Sequence, residues 1–120
     1  MEKTITYKDL IVWQRAMELV VAVYGVTEKF PRAEQYGLTS QMRRAAVSVP
    51  SNIAEGRRRG TRKEYRQFLV VAYGSGAELE TQFEIARLLS FGDLAGIDHT
   101  ESLLGEVMRM LNKMIYELKE

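Results

Sequence analysis

The spacing of apolar residues near the carboxyl end constrains the fold of this chain more than any other feature. Apolar side chains follow one another there at alternating steps of three and four residues: Leu104, Val107, Leu111, Met114 and Leu118. This alternation is typical of a helix that packs lengthwise in a left-handed bundle. The helix is predicted to begin near Asp98, because Asp98 and Glu101 have the spacing of an N-terminal capping box.

Two more helices are predicted in the first half of the chain. The first runs from about Asp9 to Phe30 and stops before Pro31, because a residue that precedes proline avoids helical backbone. Its apolar stripe, at helical spacing, is Leu10, Trp13, Met17, Val20 and Tyr24. The second runs from about Tyr36 to Arg58. Its inward stripe is Leu38, Met42, Ala45, Val49 and Ile53.

The remaining helix follows a break at 56–60, which begins and ends with glycine, and is expected to stop near Gly92. Thr61 and Glu64 form a capping box at its start. Its core stripe is Tyr65, Leu69, Ala72, Gly76, Leu79, Phe83 and Ala86. No alternating strand pattern competes with the helices. The expected fold is therefore all-α, an up-down-up-down antiparallel four-helix bundle that forms a single domain over residues 1–120.

The first helix is apolar on more than one face, as the run Leu19–Val23 shows. A small bundle buries only one face of each helix, so we expect a subunit interface and hence a homo-oligomer. No apolar run approaches the ~20 residues of a membrane span. The N-terminus lacks the apolar core of a signal peptide, and the chain has no cysteine. We therefore expect a cytoplasmic protein with no membrane contact.

A polar group accompanies a proline inside the second helix. Pro50 has no N–H and is expected to bend the helix, and Ser48 and Asn52 can bond the carbonyls that it frees. Glu55 needs a partner if it is buried. Arg44 lies too far back along the helix, so we expect that partner on another helix or subunit; the alternative is that Glu55 caps the helix end. The predicted structural polar motif is Ser48, Asn52, Glu55 and Gly56.

Positive charge is concentrated in residues 41–66. This segment carries eight Arg and Lys against two Glu, a net charge of +6, whereas the other residues carry nine basic and fourteen acidic side chains, a net charge of −5. A local positive surface is what polyanion binding requires. Because the second and third helices are antiparallel neighbours, most of these cations should gather at the turn between them. The candidate nucleic-acid-binding residues are Arg57, Arg58, Arg59, Arg62, Lys63 and Arg66, with Arg43 and Arg44 about 20 Å further down the second helix.

The positions of these cations bear on their role. Arginines at the end of the second helix interact favourably with its dipole, but Arg62, Lys63 and Arg66 begin a helix, where cations are disfavoured. Cations placed against a local preference favour a functional role, and binding of a polyanion explains them best. Two alternatives remain open at this point, which are pairing with acidic surfaces of other copies of the chain and simple solubility.

The sequence offers no candidate catalytic or metal site. The single histidine, His99, has no Glu three residues before it, so the Glu-x-x-His motif of di-metal bundles is absent. Glu80 and Glu84 lie one helical turn apart but are better explained as a solvated face. The glycine-bounded segment 56–60 lacks the Lys–Ser/Thr ending of a phosphate-binding loop. We therefore expect a non-enzymatic protein without a metal or cofactor.

Three stretches of the sequence carry a family resemblance. They are Leu38, Thr39, Gln41, Arg44–Ala46, Ser48, Pro50 and Asn52–Gly56 in the second helix, Asp9, Leu10 and Trp13 in the first, and Gly74, Ser75 and Glu78–Thr81 in the third. This pattern resembles a family of small bacterial four-helix bundle proteins, first named for reading frames inside intervening sequences of large-subunit ribosomal RNA genes. The resemblance spans essentially the whole chain.

The resemblance implies a homopentameric barrel of four-helix bundles. It also implies kinship with the accessory variability determinant of diversity-generating retroelements, a positively charged pentamer that binds nucleic acid and its reverse transcriptase. The implied partners are other copies of the chain, RNA or DNA, and a reverse transcriptase or other protein. A net charge of +1 does not fit a uniformly basic pentamer, so only the basic patch is carried over. The alternative is a protein–protein interaction scaffold with no nucleic-acid role.

Overall fold

A computed structural model describes residues 6–119 and contains the four predicted helices. They are α1 (Ile11–Thr27), α2 (Leu38–Arg58), α3 (Arg62–Leu88) and α4 (Leu94–Glu117). Short 3-10 helices precede α1 and α2, at Tyr7–Asp9 and Arg32–Glu34 respectively. The first five residues, where the sequence shows no signal-peptide core, lie outside the described residues, as does Glu120.

The helices form an up-down-up-down four-helix bundle, as predicted. Helix α1 packs against α2 and α4, α3 packs against α2 and α4, and the α2–α3 contact is the most extensive. The bundle is a rod 51 Å long and 27 by 22 Å across. We call the end that holds the α2–α3 turn the tip and the opposite end the base. Helices α2 and α4 end at the tip, whereas α1 and α3 begin there.

The core of α2 and α3 is the one that the sequence predicts. Met42, Val49 and Ile53 of α2 are fully buried, and so are Leu79 and Phe83 of α3. Removing each of these side chains from water stabilises the fold by about 1.5–3 kcal/mol. The predicted stripes of α2 and α3 are confirmed, although apolar residues such as Val47, Val70 and Val71 also lie on their outer faces.

The predicted stripe of α1 is wrong by about one residue. The buried residues of this helix are Val12, Ala16, Leu19, Val23, Val26 and Thr27. Met17 and Tyr24, both predicted to lie in the stripe, keep 41% and 42% of their surface exposed. Two neighbouring stripes of α1 are apolar, and periodicity alone does not say which of them faces the core. Val21, on the outer surface, is 71% exposed.

Helix α4 begins four residues earlier than predicted. The carboxylate of Asp93, the residue before Leu94, accepts a hydrogen bond from the backbone N–H of Gly96 at 2.9 Å. This bond lowers the pKa of Asp93, and the hydrogen bond from Lys29 Nζ at 3.1 Å lowers it further. Asp93 is therefore the N-cap, because its carboxylate satisfies a backbone donor of the first turn. Asp98, the predicted cap, lies within the helix.

The residues of the predicted capping box in α4 have another role. The guanidinium group of Arg87, at the end of α3, forms ion pairs with the carboxylates of Asp98 and Glu101. These bonds raise the pKa of Arg87, so the group stays charged. The acids connect α3 to α4 near the base of the bundle.

Helix α3 ends at Leu88, before Gly92, because the chain reverses at an unexpected residue. Ser90 adopts a φ of 59°, the left-handed conformation that glycine usually takes at a helix end. The backbone N–H of Phe91 then donates to the carbonyl of Ala86 at 2.9 Å and closes the turn. The sequence signal was missed because serine, rather than glycine, occupies this position.

Glycine has different roles at three positions within the helices. A Cβ atom on Gly56 would lie 2.6 Å from the Cβ of Phe68, so the lack of a side chain lets α2 and α3 approach closely. A Cβ on Gly76 would overlap the sulfur of Met108. At Gly74, a Cβ would meet no atom of the described residues within 4 Å. Tight packing therefore explains the glycine at Gly76 but not, within the protomer, the one at Gly74.

We expect opposite effects of alanine at Gly56 and Gly74. Gly56→Ala should lower the free energy of unfolding by about 1–3 kcal/mol, because the new methyl group overpacks the α2–α3 contact. Gly74→Ala should raise the free energy of unfolding by about 0.5–1 kcal/mol, because alanine loses less backbone entropy in a helix. Urea denaturation of the two variants measures both values. Equal effects, or the reverse order, would contradict the packing described for Gly56.

Candidate nucleic-acid interface

The ends of all four helices meet at the tip. Helix α2 ends at Arg58 and α3 begins at Arg62, while α4 ends and α1 begins beside them. Six cations lie on or next to this turn, and we call them the basic tip: Arg57, Arg58, Arg59, Arg62, Lys63 and Arg66. Within residues 55–66 only Glu55 and Glu64 oppose them, which leaves six positive charges against two negative, a net of +4.

Two arginines of the basic tip hold the carboxyl end of α4. Arg62 Nη2 donates to the backbone carbonyl of Glu117 at 3.1 Å, and Arg66 Nε donates to the carbonyl of Ile115 at 3.1 Å. The last carbonyls of a helix have no partner within the helix and form the negative end of its dipole. The antiparallel neighbour α4 thus supplies a favourable environment, which reasoning from α3 alone missed. The prediction that Arg62 and Arg66 lie in an unfavourable electrostatic field at the start of α3 is therefore wrong.

Arg59 has carboxylate partners and contributes the least net charge. Its guanidinium lies 2.8 Å from the carboxylate of Glu55 and 3.9 Å from that of Glu64, and it stacks 4.9 Å from the ring centre of Phe68. The expectation that Glu55 pairs with another helix is therefore wrong within residues 6–119 of one protomer. Glu55 is exposed, and its partner is the C-cap residue of its own helix.

Two cations of the basic tip, Arg58 and Lys63, have no carboxylate within ion-pair distance among residues 6–119, and Arg57 and Arg58 lie beside aromatic rings. The guanidinium of Arg58 lies 5.4 Å from the ring centre of Tyr7. Arg57 lies close to Tyr65; burial raises the pKa of that phenol, and the positive charge of Arg57 opposes the increase. Lys63 is exposed and makes no hydrogen bond or ion pair with any residue from 6 to 119. The tip therefore presents positive charge to solvent.

The capping box at the start of α3 is present in part. The hydroxyl of Thr61 accepts a hydrogen bond from the backbone N–H of Glu64 at 3.1 Å. The carboxylate of Glu64 accepts from the Thr61 hydroxyl at 3.2 Å, rather than from the Thr61 backbone. Thr61 therefore fixes the first turn of α3 and with it the positions of Arg62 and Lys63.

Arg43 and Arg44 lie far from the basic tip, in the base half of α2. Arg43 Nε donates to Thr27 Oγ1 at 2.9 Å, and the guanidinium lies 4.4 Å from the ring centre of Tyr24. Arg44 is exposed and makes no hydrogen bond or ion pair within the described part of the chain. Although the two arginines are adjacent in sequence, only Arg43 is fixed against α1.

The predicted polar motif divides into two parts. Asn52 Nδ2 donates to the carbonyl of Ser48 at 2.8 Å and to its hydroxyl at 2.9 Å. That hydroxyl also lies 2.8 Å from the hydroxyl of Ser75 on α3. Sequence reasoning did not assign Ser75 to this network, although Ser75 belongs to the resembling stretch of the third helix. The carbonyl that Asn52 bonds is that of Ser48, not that of Ala46, which Pro50 leaves without its helical donor.

Glu55 and Gly56 do not belong to this network. Glu55 is part of the basic tip's ion pairs, and Gly56 contributes the close α2–α3 approach.

Among residues 6–119, no group of three or more His, Asp or Glu side chains is placed to hold a metal ion. No helix within the same range is long and apolar enough to cross a membrane.

The sequence matches a known family over residues 8–113, and that family is described as 23S rRNA-intervening sequence protein. The chain belongs to this family. The predicted resemblance is thereby confirmed. The description of the family names no enzymatic activity.

Comparison with solved structures supports the fold. A crystal structure from Bacteroides thetaiotaomicron, described as a protein of unknown function from the S23 ribosomal protein family, superposes with a TM-score of 0.78. The two chains are 18% identical, and the similarity covers 88% of this chain and 98% of the other. At this identity the likeness shows a common fold alone. The comparison with curated proteins finds no match.

The bond from Arg66 to α4 predicts a difference between two cations of the basic tip. Arg66→Gln should lower the free energy of unfolding by about 0.5–1.5 kcal/mol, because the carbonyl of Ile115 loses a charged donor. Lys63→Gln should change it by less than about 0.5 kcal/mol, since Lys63 is exposed. Urea denaturation at a fixed salt concentration measures both. Equal stability of the two variants would contradict a structural role for Arg66.

Proposed function

We propose that this protein is a non-enzymatic, oligomeric accessory protein of the cytoplasm that binds nucleic acid, RNA above all, through the basic tip. The observation that carries the proposal is the way the arginines of the tip are held. A backbone carbonyl has no net charge, so Arg62 and Arg66 are fixed in place without being neutralised. A rigid, positive surface suits the phosphate backbone, which dominates the affinity of most nucleic-acid-binding proteins.

The family description favours RNA among the possible nucleic-acid ligands and names no reaction. Its description, 23S rRNA-intervening sequence protein, links it to ribosomal RNA and to no reaction. His99, the only histidine of the chain, is exposed near the start of α4. An activated nucleophile needs a base within hydrogen-bond reach. His99 is the only imidazole that could serve as this base, and no motif of the sequence pairs a nucleophile with it.

Self-assembly would increase the affinity of the tip. Met17 and Val21 form an exposed apolar strip on α1, and Val70 and Val71 are exposed on α3. Apolar surface of this kind favours contact with other copies of the chain, and the family resemblance implies a pentamer. Each copy adds one basic tip, so weak individual contacts combine into avid binding wherever one RNA reaches several tips.

The proposal predicts binding that depends strongly on salt and on the unneutralised cations. Affinity for a structured RNA, measured by fluorescence anisotropy, should fall steeply between about 50 and 200 mM salt, because binding releases counterions. The double variant Arg58→Gln/Lys63→Gln should bind more weakly, and the slope of log affinity against log salt should fall by about two. Both substitutions leave the bonds from Arg62 and Arg66 to α4 in place.

A matched control removes two charges elsewhere. Arg32→Gln/Arg109→Gln changes two exposed arginines outside the tip and should leave the salt slope within error of the unmodified protein. If both double variants lose the same affinity, binding reflects net charge rather than the tip. If no RNA binds at low salt, the proposal is wrong. A protein partner that remains bound after nuclease treatment would then favour an interaction scaffold.

Self-assembly has its own test in solution. Sedimentation should report a mass several times the 13.8 kDa of one chain. Val21→Glu should reduce that mass, because a carboxylate in an apolar contact loses its hydration without gaining a partner. Leu88→Glu, at a residue 83% exposed near the base, is the control and should not change it. A monomer at micromolar concentration would exclude assembly through α1.

A further inference from the structure

A groove near the base contains cationic and aromatic side chains that the basic tip does not use. It has a volume of about 560 Å³ and lies between α1 and α2. We call it the Tyr36 groove, and the residues that matter for its chemistry are Tyr24, Tyr36, Ser40, Arg43, Arg44 and Ser48. A second polar groove between α2 and α3 shares Tyr36, Ser40, Arg44 and Ser48 with it. Arg44 and Tyr36 therefore stand between two adjoining channels.

Folding of the protomer does not explain the placement of Tyr36 and Arg44. Tyr36 lies in the turn before α2 and is 90% exposed, more than any other large apolar or aromatic side chain of the described residues. Arg44 is exposed and has no hydrogen-bond or ion-pair partner among residues 6–119. An exposed tyrosine beside an unpaired arginine contributes little to stability, so both side chains are available to a ligand.

Arg43 lies at a fixed position on one wall of the groove. Its guanidinium is fixed by the Thr27 hydroxyl at 2.9 Å and lies over the ring of Tyr24 at 4.4 Å. The carboxylate of Glu28 is 3.8 Å away and is itself 76% exposed, a distance and exposure at which pairing is weak. Arg43 therefore keeps positive charge at a set position on the groove wall without needing to reorganise when an anion arrives.

We propose that the Tyr36 groove binds single-stranded nucleic acid, with a base stacked on the ring of Tyr36 and the adjacent phosphate held by Arg44. Stacking on an exposed aromatic ring combined with a cation for the backbone is the usual way in which proteins hold unpaired strands. The hydroxyl groups of Ser40 and Ser48 offer hydrogen bonds to the sugar or base edge. The adjoining α2–α3 groove offers a path for a strand that continues past the site.

Acidic groups near the groove limit what can bind there. Glu78 lines the adjoining α2–α3 channel, and Glu28 lies beside Arg43. Their charges weaken non-specific attraction of polyanions, so contact with the base must supply a larger share of the affinity than at the basic tip. The groove should therefore discriminate between unpaired strands, whose bases can stack on Tyr36, and duplexes, whose bases are already stacked. The proposal rests on the proposed function only for the class of ligand.

The test compares a short single-stranded RNA oligonucleotide with a blunt RNA duplex by fluorescence anisotropy. Tyr36→Ala should weaken binding of the single strand by roughly 5- to 150-fold, the range for loss of one base–aromatic stack. Binding of the duplex should change little. Tyr36→Phe keeps the ring and should restore single-strand affinity. Arg44→Gln should reduce the salt slope for the single strand by about one, as expected for one lost phosphate contact.

Control variants separate this proposal from its competitors. Leu88→Ala removes another highly exposed apolar side chain near the base and should leave single-strand affinity unchanged. Equal losses for single strand and duplex with Tyr36→Ala, or no loss at all, would overturn the proposal. A change in sedimenting mass with Tyr36→Ala, with RNA affinity unchanged, would show that the groove is a contact between copies and would also overturn it.

The two binding proposals fail independently. If Arg58→Gln/Lys63→Gln abolishes binding of both RNAs while Tyr36→Ala changes nothing, the basic tip is the binding site and the groove is not. If Tyr36→Ala weakens the single strand while the tip variant binds both RNAs normally, the groove is confirmed and the tip is excluded.

Discussion

The close contact between α2 and α3 determines where the charge of this protein lies. The two helices approach closely because Gly56 has no side chain against Phe68, and the hydroxyls of Ser48 and Ser75 meet further down the same contact. Only residues 59–61 separate the helices at the tip. The end of one helix and the start of the next must therefore share one small surface, and the cations that flank the turn are brought together whatever their individual partners.

The arginines of this protein are held in two chemically different ways. Arg87 is bound by the carboxylates of Asp98 and Glu101, and Arg15 by those of Glu18 and Glu106, so the charge of each is neutralised. At the tip, two arginines are instead held by backbone carbonyls at the end of α4. A carbonyl restricts the side chain and leaves its charge intact. At the tip, positioning and charge are thus obtained together because the end of α4 lies beside arginine side chains.

The helices differ in how far the sequence determines them. The inward faces of α2 and α3 follow from periodicity, because the predicted apolar stripe of each helix continues at helical spacing over most of its length. In α1 the neighbouring stripes of Val12 and Trp13 are both apolar, and only packing against α2 and α4 selects between them. The start of α4 was misplaced because Asp93 and Asp98 both have the sequence features of a cap. Contact with Lys29, 64 residues away along the chain, helps to hold Asp93 in that role.

The sequence determines the geometry of the candidate sites even less than it determines the helices. Charge density at the tip is visible in the sequence, but the acceptors of Arg62 and Arg66 lie 55 and 49 residues away and are backbone atoms, which no sequence pattern marks. Arg43 and Arg44 are neighbours in sequence, yet successive residues of a helix point about 100° apart. One consequently stacks on Tyr24 of α1 while the other projects beside Tyr36.

These two sites would act over different distances. The field of the tip extends for about one Debye length, ~10 Å at moderate salt, and attracts any polyanion. Stacking on Tyr36 acts only at contact and requires an unpaired base. Because the groove requires an unpaired base and Arg44 lies about 20 Å from the tip along α2, a fully paired RNA stem does not satisfy both sites within a protomer. A ligand that engages both must continue from a structured segment into a single strand, or span neighbouring copies of the bundle.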